Sequence, residues 1–69
     1  MLKNNFAYNI TISIECSDFH DIITHLSVIR SQIKAYQKTL TDGEMPEGTE
    51  KVLDDNNCYG VHTVTIESR

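Results

Sequence analysis

Several protein classes require features that this sequence has little of. Its 69 residues include only two cysteines, too few for a disulfide-framework miniprotein. Hydrophobic residues make up 39% of the chain, close to the globular average. A chain of this length forms one domain that buries only about 60% of its unfolded surface. We therefore expect a single domain over residues 1–69, without repeats or linkers.

A long apolar run is also missing. Residues 1–16 alternate apolar with polar side chains and lack the continuous apolar stretch of a secretion signal or membrane span. We therefore expect a cytoplasmic protein. In a reducing compartment, Cys16 and Cys58 should be free thiols.

Basic residues are scarce, and charge is distributed unevenly. Six Lys and Arg against ten Asp and Glu give a net charge of -4, which disfavours a broad basic face for nucleic acid. Residues 42–69 contain seven acidic and two basic residues, a net charge of -5. Six of these acidic residues define what we call the acidic segment: Asp42, Glu44, Glu47, Glu50, Asp54 and Asp55.

Two periodicities predict the first half of the fold. Residues 6–16 alternate with a period of two, which predicts a half-buried strand, and Ser17 or Asp18 can then cap a helix. Steps of three and four predict a helix over residues 18–40 that packs on a sheet. Its apolar positions are Phe19, Ile22, Leu26, Ile29, Ile33, Tyr36 and Leu40. Gly43 ends it, and residues 41–49 form an acidic loop.

Residues 50–67 are predicted to form a hairpin. Residues 50–53 and 58–67 have strand composition, and residues 54–57 have turn chemistry. The element order β-α-β-β predicts an α+β fold, a mainly antiparallel three-stranded sheet with one long helix on one face. The third strand is expected to lie between the other two.

A register that pairs Tyr8 with Ile66 places the apolar side chains of both strands on one face. It also pairs Cys16 with Cys58. His62 then lies on the core side, where its polar ring fits poorly. We expect Ile12 and Leu26 to belong to the core.

The spacing Cys-x-x-x-His occurs twice, in Cys16 with His20 and in Cys58 with His62. Together these side chains could form a zinc site, so a small Cys/His metal-binding protein is one alternative function. Residues four apart in a strand, however, are separated by roughly 13 Å, far more than one zinc ion spans. We therefore expect no metal and no other cofactor.

A catalytic site is not expected either. Cys16 could approach His20 across the strand-to-helix turn, but no third group is evident to orient the imidazole. The three glycines do not form a loop that could serve as an oxyanion hole. The sequence therefore predicts a protein that is not an enzyme.

Arg30, Lys34 and Lys38 are spaced to form a basic flank on the helix. Cations near a helix C-terminus complement its dipole, so a solvated flank is one interpretation. The other is an anion contact, which makes a weak nucleic-acid or nucleotide binder a second alternative function.

The acidic segment gives the leading hypothesis. We expect a non-enzymatic protein-interaction module, an inhibitor or regulator, whose acidic segment docks on a basic partner surface. In size and sign of charge the chain resembles small acidic inhibitors of nucleic-acid machinery, including those that phages encode, without a shared motif. That resemblance implies a nucleic-acid-mimic mode of action. A homodimer is also expected, because the first strand is long and regular and carries one charged residue, Glu15.

Overall fold

The computed structural model describes residues 7–69. They form β1 (Tyr8–Glu15), α1 (Phe19–Gln37), β2 (Glu50–Asn57) and β3 (Gly60–Ser68), with a short 3-10 turn, Thr41–Gly43, after the helix. The sheet order is β1-β3-β2, and β3 runs antiparallel to both neighbours. The predicted α+β fold and the central place of the third strand are therefore confirmed. Phe6, included in the predicted first strand, lies outside the described residues.

The hairpin turn differs from the prediction. β2 continues through Asn57, so the predicted turn at residues 54–57 is wrong, and Cys58 and Tyr59 form the turn instead. Pairing with β3 along the whole strand outweighs the local turn preference of Asp and Asn. The Asn57 side chain shapes the new turn, because its Oδ1 accepts a hydrogen bond from the Tyr59 amide at 2.8 Å.

The strand register is also shifted by two residues. Tyr8 lies opposite Ser68, not Ile66 as predicted, and Ile14 lies opposite His62. The predicted pair of Cys16 with Cys58 is wrong as well, because Cys16 follows the end of β1 and Cys58 lies in the hairpin turn. Because side chains alternate with a period of two, a shift of two leaves every side chain on its predicted face.

The core lies between α1 and the hairpin. Its buried apolar side chains are Ile29, Met45, Val64 and Ile66. Ile12 and Leu26 are each 45% exposed, so their predicted place in the core is wrong. The helix packs over β3 and β2, which leaves the inner face of β1 partly uncovered.

Neither helix end follows the prediction in detail. Asp18 is the N-cap residue, but no side chain caps the helix. The helix ends at Gln37, because Leu40 is extended and the Thr39 hydroxyl donates to the Tyr36 carbonyl at 2.7 Å. Within residues 7–69, no helix has the length and apolar character needed to cross a membrane.

The burial pattern predicts unequal costs for one substitution at two strand positions. Val64 is fully buried, so Val64→Ala should lower the free energy of unfolding by about 2 to 3 kcal/mol. Val52 is 49% exposed, so Val52→Ala should cost less than about 1 kcal/mol. Urea unfolding of both variants measures the difference. Equal losses would contradict the position of the core.

Candidate functional site

The sheet face turned away from α1 is open. Val64 and Ile66 pack toward the helix, so the residues between them point to the opposite side. We call that side the outer face. In register, it comprises Asn9, Thr11, Ser13 and Glu15 of β1, Val61, Thr63, Thr65 and Glu67 of β3, and Glu50, Val52, Asp54 and Asn56 of β2.

At the paired positions of β1, β2 and β3, the charged side chains of the outer face are all acidic. The face contains four exposed carboxylates, Glu15, Glu50, Asp54 and Glu67, and these paired positions include no lysine or arginine. Glu50 and Glu67 lie directly opposite each other in the β2–β3 ladder. Like charges in that arrangement destabilise a sheet. The Asn9 amide donates a hydrogen bond to Glu67 Oε1 at 3.3 Å, which adds no positive charge.

The acidic segment predicted as the partner site does not form one surface. Glu50 and Asp54 lie on the outer face. Asp55 points to the helix side, opposite His62, and is half-buried. The other members are exposed in the connection between α1 and β2: Asp42, Glu44 and Glu47. The fold therefore divides the segment among three places.

The acidic partner site predicted from the sequence omits two carboxylates of the outer face, Glu15 and Glu67. They are remote from residues 42–55 in sequence, and pairing in the sheet brings them onto the same face as Glu50 and Asp54. The signal was the alternation itself, since both glutamates fall at polar positions of their strands. Only the register places Glu67 opposite Glu50.

A second polar feature lies in the interior. His25 and His62 are both fully buried, and their Nδ1 atoms are 2.8 Å apart. The rings meet edge to face with 5.1 Å between their centroids. One hydrogen lies between the two nitrogens, so one imidazole donates and the other accepts.

Gln32 determines which ring donates. Its Nε2 donates to the Asp54 carbonyl at 2.9 Å, so its Oε1 is the atom that lies 2.8 Å from His62 Nε2. An amide oxygen accepts, and His62 Nε2 therefore carries a hydrogen. In the neutral pair, His62 Nδ1 then accepts from His25 Nδ1. That leaves His25 Nε2 as a buried acceptor with no hydrogen-bond partner.

The space beside His25 Nε2 requires a glycine. Gly60 has a φ of 138°, and a Cβ added there would collide with the Glu15 carbonyl oxygen and lie 3.0 Å from His25 Nε2. Close packing of backbone against the imidazole leaves that nitrogen without a polar partner. The histidine pair is therefore a packed structural element.

The sequence contained signals for both histidines. His25 lies three residues after Ile22 and four before Ile29, which places it on the buried stripe of the helix. His62 was already assigned to the core side of its strand. Their contact depends on the observed register and on the position of the helix, which the sequence alone did not provide.

The structure separates the residues of the predicted Cys/His metal alternative. Both ring nitrogens of His62 are engaged, by His25 and Gln32, so His62 has no free lone pair for a metal. His20 is exposed, whereas Cys16 and Cys58 are free thiols that line one open cavity of about 440 Å³. Among residues 7–69, no three His, Cys, Asp or Glu side chains are arranged to hold a metal ion.

The basic flank lies apart from the outer face. Arg30, Lys34 and Lys38 are all exposed, on α1 and the residue that follows it. Both interpretations of these side chains, a solvated flank and an anion contact, require them to be exposed. Anion binding by these residues therefore stays a prediction.

The chain matches no protein-family model, no curated protein and no solved structure.

The histidine network predicts a test by substitution of two glutamines on one helix. Gln32→Leu leaves the buried His62 N–H without an acceptor and should cost about 1 to 3 kcal/mol of unfolding free energy. Gln37 is exposed, and its side-chain amide donates a long hydrogen bond of 3.4 Å to the Gly43 carbonyl, so Gln37→Leu should cost less than about 1 kcal/mol. Chemical denaturation measures both. A cost for Gln37→Leu as large as that for Gln32→Leu would contradict the network.

Proposed function

We propose that this protein is a small non-enzymatic interaction module, an acidic inhibitor or regulator, that docks its outer face on a basic surface of a partner protein. The opposed pair Glu50 and Glu67 is the observation that carries the proposal. Two carboxylates side by side weaken the sheet, and core packing does not require them. Lysine or arginine side chains of a partner would neutralise both carboxylates and replace repulsion with attraction.

The rest of the outer face suits a protein partner. Val52 lies between Glu50 and Asp54 on β2 and is half exposed, so it offers apolar contact next to the carboxylates. The central part of the face carries the hydroxyl groups of Thr11, Ser13, Thr63 and Thr65, which can both donate and accept hydrogen bonds. Protein interfaces combine such apolar, hydroxyl and charged contacts.

The sign of the charge determines the class of partner. Carboxylates repel phosphates, so the outer face favours a basic protein over nucleic acid. Such a module could compete with nucleic acid for a basic groove. A cytoplasmic location belongs to this proposal.

The test compares carboxylates on the outer face with carboxylates outside it. Glu50→Gln with Glu67→Gln removes the opposed pair, and Glu44→Gln with Glu47→Gln removes equal charge from the connection between α1 and β2. Each protein is immobilised and exposed to host lysate, and captured proteins are identified by mass. The captured partner is then purified and titrated against all three proteins.

The outer-face variant should bind the purified partner at least roughly tenfold more weakly than wild type, whereas the connection variant should bind nearly as well as wild type. Raising salt from about 0.05 M to about 0.5 M should weaken the wild-type complex, because salt screens the charge contacts. The outer-face variant should unfold with equal or higher free energy, by up to about 1 kcal/mol, because repulsion is removed. Equal partner affinity of the two variants would contradict the proposal.

A further inference from the structure

The inner side of β1 remains partly uncovered by the helix. Ile10 and Ile12 face the helix side, opposite Ile66 and Val64, yet Ile10 is 51% exposed and Ile12 is 45% exposed. β1 is also an edge strand, and within residues 7–69 no strand pairs with its outward edge. An apolar edge strand with unpaired backbone groups favours pairing with another chain.

The helix presents a matching apolar row on the same side. Phe19, Leu26 and Ile33 are spaced seven residues apart and therefore share one flank of α1. Ile33 lines a groove of about 350 Å³ together with Tyr8 and Ile10, which shows that this flank faces β1. Phe19 is 83% exposed and Leu26 is 45% exposed. Uncovered apolar surface therefore lies both on the inner side of β1 and on the helix flank that faces it.

We propose that a second copy of this chain covers this surface by antiparallel pairing of β1 with β1. A two-fold axis perpendicular to the sheet would join the two sheets into one of six strands. Both helices then lie on the same face, and the apolar rows of their flanks face each other across the axis. The result is a closed isologous dimer.

The sequence of β1 suits pairing with itself. With the axis at Ile12, Ile10 lies opposite Ile14 of the other copy, and Thr11 lies opposite Ser13. Glu15, the one charged residue of the strand, then lies opposite Asn9, whose amide can donate to a carboxylate. On the helix side, isoleucine therefore lies opposite isoleucine, and no two charged residues lie opposite each other.

The area is consistent with a small dimer interface. Covering the exposed parts of Ile10, Ile12, Phe19 and Leu26 removes on the order of 400 Å² of apolar surface per copy from water. A standard interface buries about 800 Å² per partner, and the β1 backbone with its flanking side chains contributes toward the rest. The part of the chain that the structure describes has four buried apolar residues in its core, so the protein gains more from this burial than a large domain would.

The dimer does not depend on the proposed function, because it uses the edge and inner side of β1 and leaves the opposed pair Glu50 and Glu67 free. It would join two outer faces into one continuous acidic surface. Loss of the dimer and loss of partner binding are measured on separate variants, so failure of one proposal is distinguishable from failure of the other.

The test uses two lysine substitutions at neighbouring positions of β1. Ile12→Lys places a charge within the apolar interface, while Thr11→Lys places the same charge on the outer face. The molecular mass of the full chain is measured by light scattering and sedimentation from roughly 1 to 200 µM. Wild type and Thr11→Lys should show dimers, and Ile12→Lys should raise the dimer dissociation constant at least about tenfold. Circular dichroism verifies that each variant is folded.

Two further measurements test the geometry of the dimer. Leu26→Lys, on the helix flank, should also weaken it, and supplies a second variant should Ile12→Lys fail to fold. Amide hydrogen exchange should protect the β1 amides that do not bond to β3, with protection that rises with protein concentration. A wild-type chain that stays monomeric at the highest concentration would overturn the proposal. A dimer without this protection of β1 would overturn it as well.

Discussion

The hydrogen bond between His25 and His62 fixes the helix over the centre of the sheet. From the same helix, Gln32 bonds both His62 and the backbone of Asp54 in β2. These contacts anchor α1 to β3 and β2, and none of them extends to β1. The position of the helix, and with it the exposure of the β1 side, therefore follows from the hydrogen bonds that hold this buried pair.

The free energies involved explain why α1 lies over β3 and β2 and does not cover β1 more fully. A buried imidazole left without a hydrogen-bond partner costs about 1 to 3 kcal/mol. Burying the exposed half of one isoleucine contributes only about 1 kcal/mol. Moving the helix toward β1 would cover Ile12 but break the bonds of His62 and Gln32. The polar network outweighs the apolar gain from covering that one isoleucine. A second chain that covers β1 removes this gain altogether and leaves the network in place.

The strong periodicities of the sequence predicted the fold. The prediction failed where the local turn preference of a short run of residues competed with strand pairing. Alternation in residues 6–16 and the helical stripe were sufficient for the α+β arrangement. The Asp-Asp-Asn-Asn run was misinterpreted as a turn, because its local preference is overridden by the ladder with β3. That error shifted the register, so the opposition of Glu50 and Glu67 could not be predicted. The pairing of His25 with His62 likewise required the helix position.

The two surfaces proposed for binding arise from the same alternation in β1. Its odd-numbered residues, Asn9 to Glu15, lie on the outer face, and its even-numbered residues lie on the helix side. A second copy that pairs with the strand edge therefore covers isoleucines and, of the four carboxylates, reaches only Glu15. A basic partner on the outer face meets the carboxylates without displacing the second copy. Because strand geometry separates the two sets of side chains, a single small sheet can bind itself by apolar contact and another protein by charge.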